Sequence, residues 1–93
     1  MNIDEVRALV LREVSRSLRN EQALDSDTVL MGNSGVLDSI ILIELCVGLE
    51  DRSSELGFEF DWTSDSAMSR SRSMFATVES LAQEFYTQML ASE

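Results

Sequence analysis

The sequence predicts a small all-α fold, a four-helix bundle of three long helices and one short one. Two observations predict it. Apolar residues recur at helical spacing in three separate segments, and 93 residues allow one compact core and no second domain. A chain of this size buries roughly 60–65% of its unfolded surface, so residues 1–93 are read as a single domain.

The first helix is predicted from Ile3, Val6, Val10, Val14 and Leu18, with Leu9 and Leu11 widening the stripe. Arg12, Arg16 and Arg19 gather on the opposite side, where they suit solubility and the helix C-terminal end. Asn20 to Gly35 is a long connection whose Leu24, Val29, Leu30 and Met31 are expected to pin it to the bundle.

The second helix is predicted from about Ser39 to Arg52. On a wheel of 100° per residue, Leu42, Leu45, Cys46 and Leu49 form one apolar stripe and Ile40, Ile43 and Val47 form another beside it. One stripe serves the core. The second either faces another helix or waits for a ligand or partner. Cys46 falls on the core-facing stripe and is the only cysteine, so it is read as an inert buried thiol with no disulfide.

In Gly57-Phe58-Glu59-Phe60-Asp61 the two phenylalanines alternate toward one side, as in a short extended segment. The span from Thr63 to Ser73 is serine-rich and is the weakest place for a helix, with Ser69-Arg70-Ser71-Arg72-Ser73 read as a mobile loop. The last helix is predicted to begin near Thr77, with Val78, Leu81, Ala82, Phe85 and Met89 inward and Tyr86 near the edge.

The run Gly35-Val36-Leu37-Asp38-Ser39-Ile40 sets one serine hydroxyl at the end of a glycine-containing loop, where the apolar second helix begins. The first turn of a helix leaves backbone N–H groups unpaired and concentrates positive partial charge, so a phosphate ester on Ser39 is stabilised there. With Asp38 as N-cap, the Ser39 hydroxyl is left free to project outward.

Other chemistries are disfavoured by composition. The chain has no histidine, and all seven of its cations are arginines, which removes the usual general base, the Schiff-base amine and the phosphate-loop lysine. The chain is therefore not expected to be an enzyme. Asp25 and Asp27 open like a calcium loop, but Leu30 stands where that loop needs glycine and Val36 where it needs glutamate, so no metal is expected.

The net charge of −10 is concentrated in the middle of the chain. From Glu21 to Ser69, eleven acidic residues face the single cation Arg52. Such a field repels nucleic acid and anionic membranes and favours basic protein surfaces. The longest branched apolar run, Ile40 to Ile43, is far short of the ~20 residues that span a bilayer. No secretory leader is seen, so a cytoplasmic protein is expected.

From about Asp27 to Glu50, and more loosely to the C-terminus, the chain resembles the acyl carrier proteins and the related aminoacyl and peptidyl carrier domains. Their mark is an Asp-Ser pair, a hydrophobic residue, and an apolar helix carrying Glu-Leu and ending in Leu-Glu. Here these fall on Asp38, Ser39, Ile40, Glu44, Leu45, Leu49 and Glu50.

The resemblance implies a carrier domain with a covalent 4′-phosphopantetheine on Ser39, Asp38 positioning the attachment site, and acyl or aminoacyl cargo held as a thioester. It implies a phosphopantetheinyl transferase, an acyl- or aminoacyl-activating ligase and synthase or transferase enzymes with basic docking surfaces. These meet Ile40, Ile43, Glu44, Val47 and Glu50 of a monomer in fatty acid, polyketide or related biosynthesis. Two departures stand out: Asp61-Trp62 replaces a common proline, and Ile41 stands where many fatty-acid carriers have a polar or acidic residue. The alternative class is a non-enzymatic helical adaptor that docks a partner through Ile40, Ile43 and Val47, with Ser39 only a cap.

Overall fold

Four helices in the order α1 (Ile3–Leu18), α2 (Ser39–Glu55), α3 (Asp65–Met74) and α4 (Val78–Ala91) make up the computed structural model. It describes residues 2–18, 30 and 39–92, with Leu18, Ser39, Met68 and 70–72 described by backbone alone. Arg19, Asp38 and the connection through Leu24, Asp25, Asp27, Val29, Met31 and Val36 lie outside the described residues.

α1 starts at a reciprocal cap. The Glu5 N–H donates to Asn2 Oδ1 at 2.9 Å and the Asn2 N–H donates to Glu5 Oε1 at 3.2 Å, which satisfies two of the donors a helix start leaves over. Val6, Val10 and Val14 then fall four residues apart and are fully buried, with Ile3, Leu9 and Leu11 packed at the margin. α1 packs on both α2 and α4, and α3 leans on α4.

α2 runs one turn beyond Arg52, to Glu55. It closes when Gly57 turns to φ 89°, with the Phe58 N–H donating to the Ser53 carbonyl at 3.0 Å and the Gly57 N–H to the Ser54 carbonyl at 3.2 Å. That pair of bonds is a Schellman ending, and glycine enters the left-handed region without the Cβ penalty.

The extended segment after α2 alternates as expected: Phe58 and Phe60 are buried and Glu59 is exposed. Both rings pack on Phe85 of α4, with centroids 5.1 and 5.3 Å away. The backbone is tied at two sides. The Phe60 N–H donates to Ser53 Oγ at 3.0 Å, while Gln88 accepts from the Asp61 N–H at 2.6 Å and donates to the Asp61 carbonyl at 2.9 Å.

Ser69 to Ser73, expected as a mobile loop, lies within α3. The cause is local capping and two well-spaced anchors. Asp61 accepts from the Thr63 and Ser64 N–H groups, and Ser64 Oγ then accepts from the Ala67 N–H at 3.1 Å, which makes Ser64 the N-cap. Ala67 and Met74, seven residues apart, are buried. Serine and arginine in between are tolerated in a helix once its start is fixed.

α4 begins one residue after Thr77, which caps it. Thr77 Oγ1 accepts from the Ser80 N–H at 3.1 Å and Ser80 Oγ accepts from the Thr77 N–H at 2.9 Å. Val78, Leu81, Ala82, Phe85 and Met89 are buried and Tyr86 is half-buried, as the periodicity predicts. Leu30 is fully buried, and its N–H donates to the Ala76 carbonyl at 2.9 Å, so the long connection is pinned at that residue. Across α1 and α4, Arg7 grips Glu79 with two bonds of 2.7 and 3.0 Å.

Candidate functional site

The two apolar stripes of α2 part company in the structure. Leu45, Cys46 and Leu49 have no exposed surface and Leu42 packs against the core, whereas Ile40 is 71% exposed, Ile43 52% and Val47 47%. α2 is therefore not buried on both stripes. Three branched side chains stand in solvent on one helix face, where a fold alone gains nothing from them.

Ser39 is the first residue of α2, so its backbone stands at the end where N–H groups have no intrahelical acceptors. Its side chain and all of Asp38 lie outside the described residues. Ile40, next in the chain, is the most exposed large apolar residue described.

Glu44 is exposed beside that face, as is Asp51. Glu50 behaves differently. It is half-buried and its carboxylate accepts the indole N–H of Trp62, so the structure places it on the wall that holds the returning chain. The sequence-predicted set is thereby divided: Ile40, Ile43, Val47 and Glu44 are displayed, and Glu50 is tied to Trp62.

Two residues that sequence reasoning passed over shape the other flank. Glu13 of α1 has a side chain only 5% exposed, and its carboxylate lies 3.5 Å from Arg52 Nε and 4.0 Å from Arg16 Nη1. Gly48 makes room for it, because a Cβ at that position would fall 2.9 Å from Glu13 Oε2. A wheel drawn for α1 puts Glu13 between Val6 and Leu9, so its inward direction was legible, whereas its meeting with Gly48 was not.

Between the last turns of α1 and the outer side of α2 lies a cleft of about 480 Å³, lined by Glu13, Arg16, Ile43, Val47, Gly48 and Arg52 among others. Its volume falls within the range of small-molecule sites. Arg52 Nη1 reaches Glu55 at 3.2 Å, yet its Nε is buried with no hydrogen-bond acceptor. The Glu13 oxygen at 3.5 Å attracts it electrostatically without making a hydrogen bond.

Cys46 is fully buried, and burial first, then the charge of Glu50, pushes its thiol up to about 12. That thiol is chemically quiet, as expected. Among the described residues no group of three or more histidine, cysteine, aspartate or glutamate side chains is placed to hold a metal ion. No described helix is long and apolar enough to cross a membrane.

Fold and site together define a class: a small all-α bundle that displays an apolar helix face within an acidic chain segment. No protein-family model, curated protein or solved structure matches the chain.

Proposed function

We infer that this chain is a carrier protein, bearing 4′-phosphopantetheine on Ser39 and holding acyl or aminoacyl groups for partner enzymes in the cytoplasm. The observation that carries the reading is the coincidence at one helix end. Ser39 opens α2, and Ile40, Ile43 and Val47, which follow it, stand exposed instead of buried. The carrier-like residues Asp38, Ser39, Ile40, Glu44 and Leu45 fall at that same place in the chain.

What supports the arm is the positive end of the α2 dipole, which favours a phosphodiester at Ser39, and the exposed stripe, which gives the chain beyond it an apolar surface. Once bound, the arm supplies a terminal thiol that holds cargo as a thioester. The protein positions Ser39 for a transferase, presents Ile40, Ile43, Val47 and Glu44 to partners, and leaves catalysis to them. In loading, Ser39 Oγ displaces 3′,5′-adenosine bisphosphate from coenzyme A, forming one P–O bond as the pyrophosphate P–O bond breaks, and a base on the transferase takes the serine proton.

The acidic middle of the chain, eleven carboxylates against Arg52, favours partners with basic docking surfaces and keeps copies apart as monomers. The same exposed face also suits an adaptor that docks a partner helix with no prosthetic group. Intact mass spectrometry after incubation with coenzyme A and a broad-specificity phosphopantetheinyl transferase separates the two. The carrier reading expects one added arm on the natural chain and none on Ser39→Ala. A natural chain that stays unmodified beside a control carrier that loads overturns it and leaves the adaptor.

A further inference from the structure

Trp62 stands where the carrier resemblance leads to a proline, so the resemblance gives it no role. The residue is half-buried. It packs against the core with part of its surface left open, and its indole N–H donates to the carboxylate of Glu50 on α2. Glu50 lies seven residues after Ile43 and three after Val47, so these three side chains share one flank of the helix. The bond therefore brings an aromatic side chain to the edge of the exposed Ile43 and Val47 surface.

The charge on this flank is of one sign. Glu50 and Asp51 follow Val47 by one helical turn, and Asp51 is exposed. Arg52, the only cation in α2, is turned away toward Glu13 and Glu55. An apolar strip that ends in an indole and two carboxylates is complementary to a basic protein surface. An arginine or lysine lays its methylene stem on apolar side chains while its head meets an aromatic face and an anion. Tryptophan is also among the residues that most often dominate the affinity of an interface.

The chemistry at Ser39 indicates which basic surface comes to this face. An enzyme that draws the arm from coenzyme A binds a 3′-phosphate and a pyrophosphate, so cations gather around its reacting atoms. At a rise of 1.5 Å per residue, Val47 and Glu50 lie about 12 and about 17 Å beyond Ser39 along α2. A standard interface of about 800 Å² per partner is about 30 Å across, enough to cover Ser39 and Trp62 together. We propose that Trp62 and Glu50 form a docking point for the phosphopantetheinyl transferase, taking an arginine or lysine of that enzyme beside Val47. This assignment rests on the carrier reading, and it makes Trp62 and Glu50 binding residues with no part in the chemistry at Ser39.

The test measures arm loading from coenzyme A by a broad-specificity phosphopantetheinyl transferase at increasing concentrations of the chain, read by intact mass spectrometry. Glu50→Gln keeps an oxygen for the indole N–H and removes the charge, whereas Trp62→Phe keeps an aromatic ring and removes the indole. Melts followed by circular dichroism report whether each is folded. Each variant is expected to raise KM about three- to tenfold and to leave kcat within about twofold, the mark of lost docking rather than lost chemistry. Asp4→Asn, in the first turn of α1, removes the same charge elsewhere and should leave both constants as they are. A KM unchanged in folded Glu50→Gln or folded Trp62→Phe overturns the docking assignment; Ser39 still takes its arm, so the carrier reading stands. A KM that rises as far in Asp4→Asn overturns it too, because the chain's net charge alone would then account for the effect. If the natural chain takes no arm beside a control carrier that loads, the carrier reading falls and this assignment falls with it.

Discussion

Ser53 offers the sharpest test of how the end of α2 is joined to the chain that returns from it. Its hydroxyl donates to the Glu50 carbonyl at 2.8 Å and accepts from the Phe60 N–H at 3.0 Å, and the residue has no exposed surface. Ser53→Ala removes one oxygen, leaves almost no cavity and strands the buried Phe60 N–H. An orphaned buried donor costs about 1–3 kcal/mol. Alanine returns about 0.5 kcal/mol through helix propensity. The net expectation is a loss of about 1.5 kcal/mol, or roughly 6–12 °C in Tm for a domain of this size. Ser54→Ala, at the exposed neighbouring position, carries the same propensity gain and should be neutral or slightly stabilising. Urea and thermal unfolding followed by helical circular dichroism measure both. A Ser53→Ala protein as stable as Ser54→Ala would refute the reasoning, because the hydrogen bond would then contribute nothing net.

Two further outcomes follow from ionisation. With its thiol pushed from 9.0 to about 12, Cys46 holds about 1000-fold less thiolate than an ordinary cysteine at a given pH below both values; a thiol reagent near neutral pH should label it only in denaturant, and prompt labelling of the folded protein would contradict its burial. The hydrogen bond from Arg7 first, and that from Gln83 second, hold the Glu79 carboxyl below its usual value of 4.5. Because the folded value is the lower one, this contribution to stability is complete above the unfolded value and is lost as pH falls through the folded one. Thermal melts over that acid range should show a steeper decline for the natural chain than for Glu79→Gln, and parallel declines would count against the pair.

Where one side chain's neighbours lie on its own helix, the sequence was a sufficient guide. The valines of α1, the inner face of α4 and the split of α2 into two stripes follow from periodicity alone, and the alternation of Phe58 and Phe60 follows from a period of two. α3 was expected only as a short helix, with residues 69–73 read as a loop, because its apolar signal is only Ala67, Met68 and Met74, and because its start depends on Asp61 and Ser64, a turn whose capping meaning shows once the chain is folded back. At the candidate site, the exposure of Ile40, Ile43 and Val47 was posed as a question by the wheel and answered by packing. The tie of Glu50 to Trp62 and the insertion of Glu13 against Gly48 both depend on how distant segments approach, which no local pattern encodes. Asp38 lies outside the described residues, so its part in the site rests on sequence alone.

The economy of α2 bears on what the face is for. Its inner stripe is complete without help, since Leu45, Cys46 and Leu49 are fully buried and Leu42 joins the core. Polar residues at 40, 43 and 47 would fold as well and dissolve better, so folding does not account for Ile40, Ile43 and Val47. Self-association is opposed by the net charge of −10, carried in sum by the very segment that contains them. A face that is apolar at its centre and acidic around it disfavours a second acidic copy and favours a basic protein surface. On the proposed carrier reading a partner covers that face in use and leaves it between encounters, which a static structural subunit would not require.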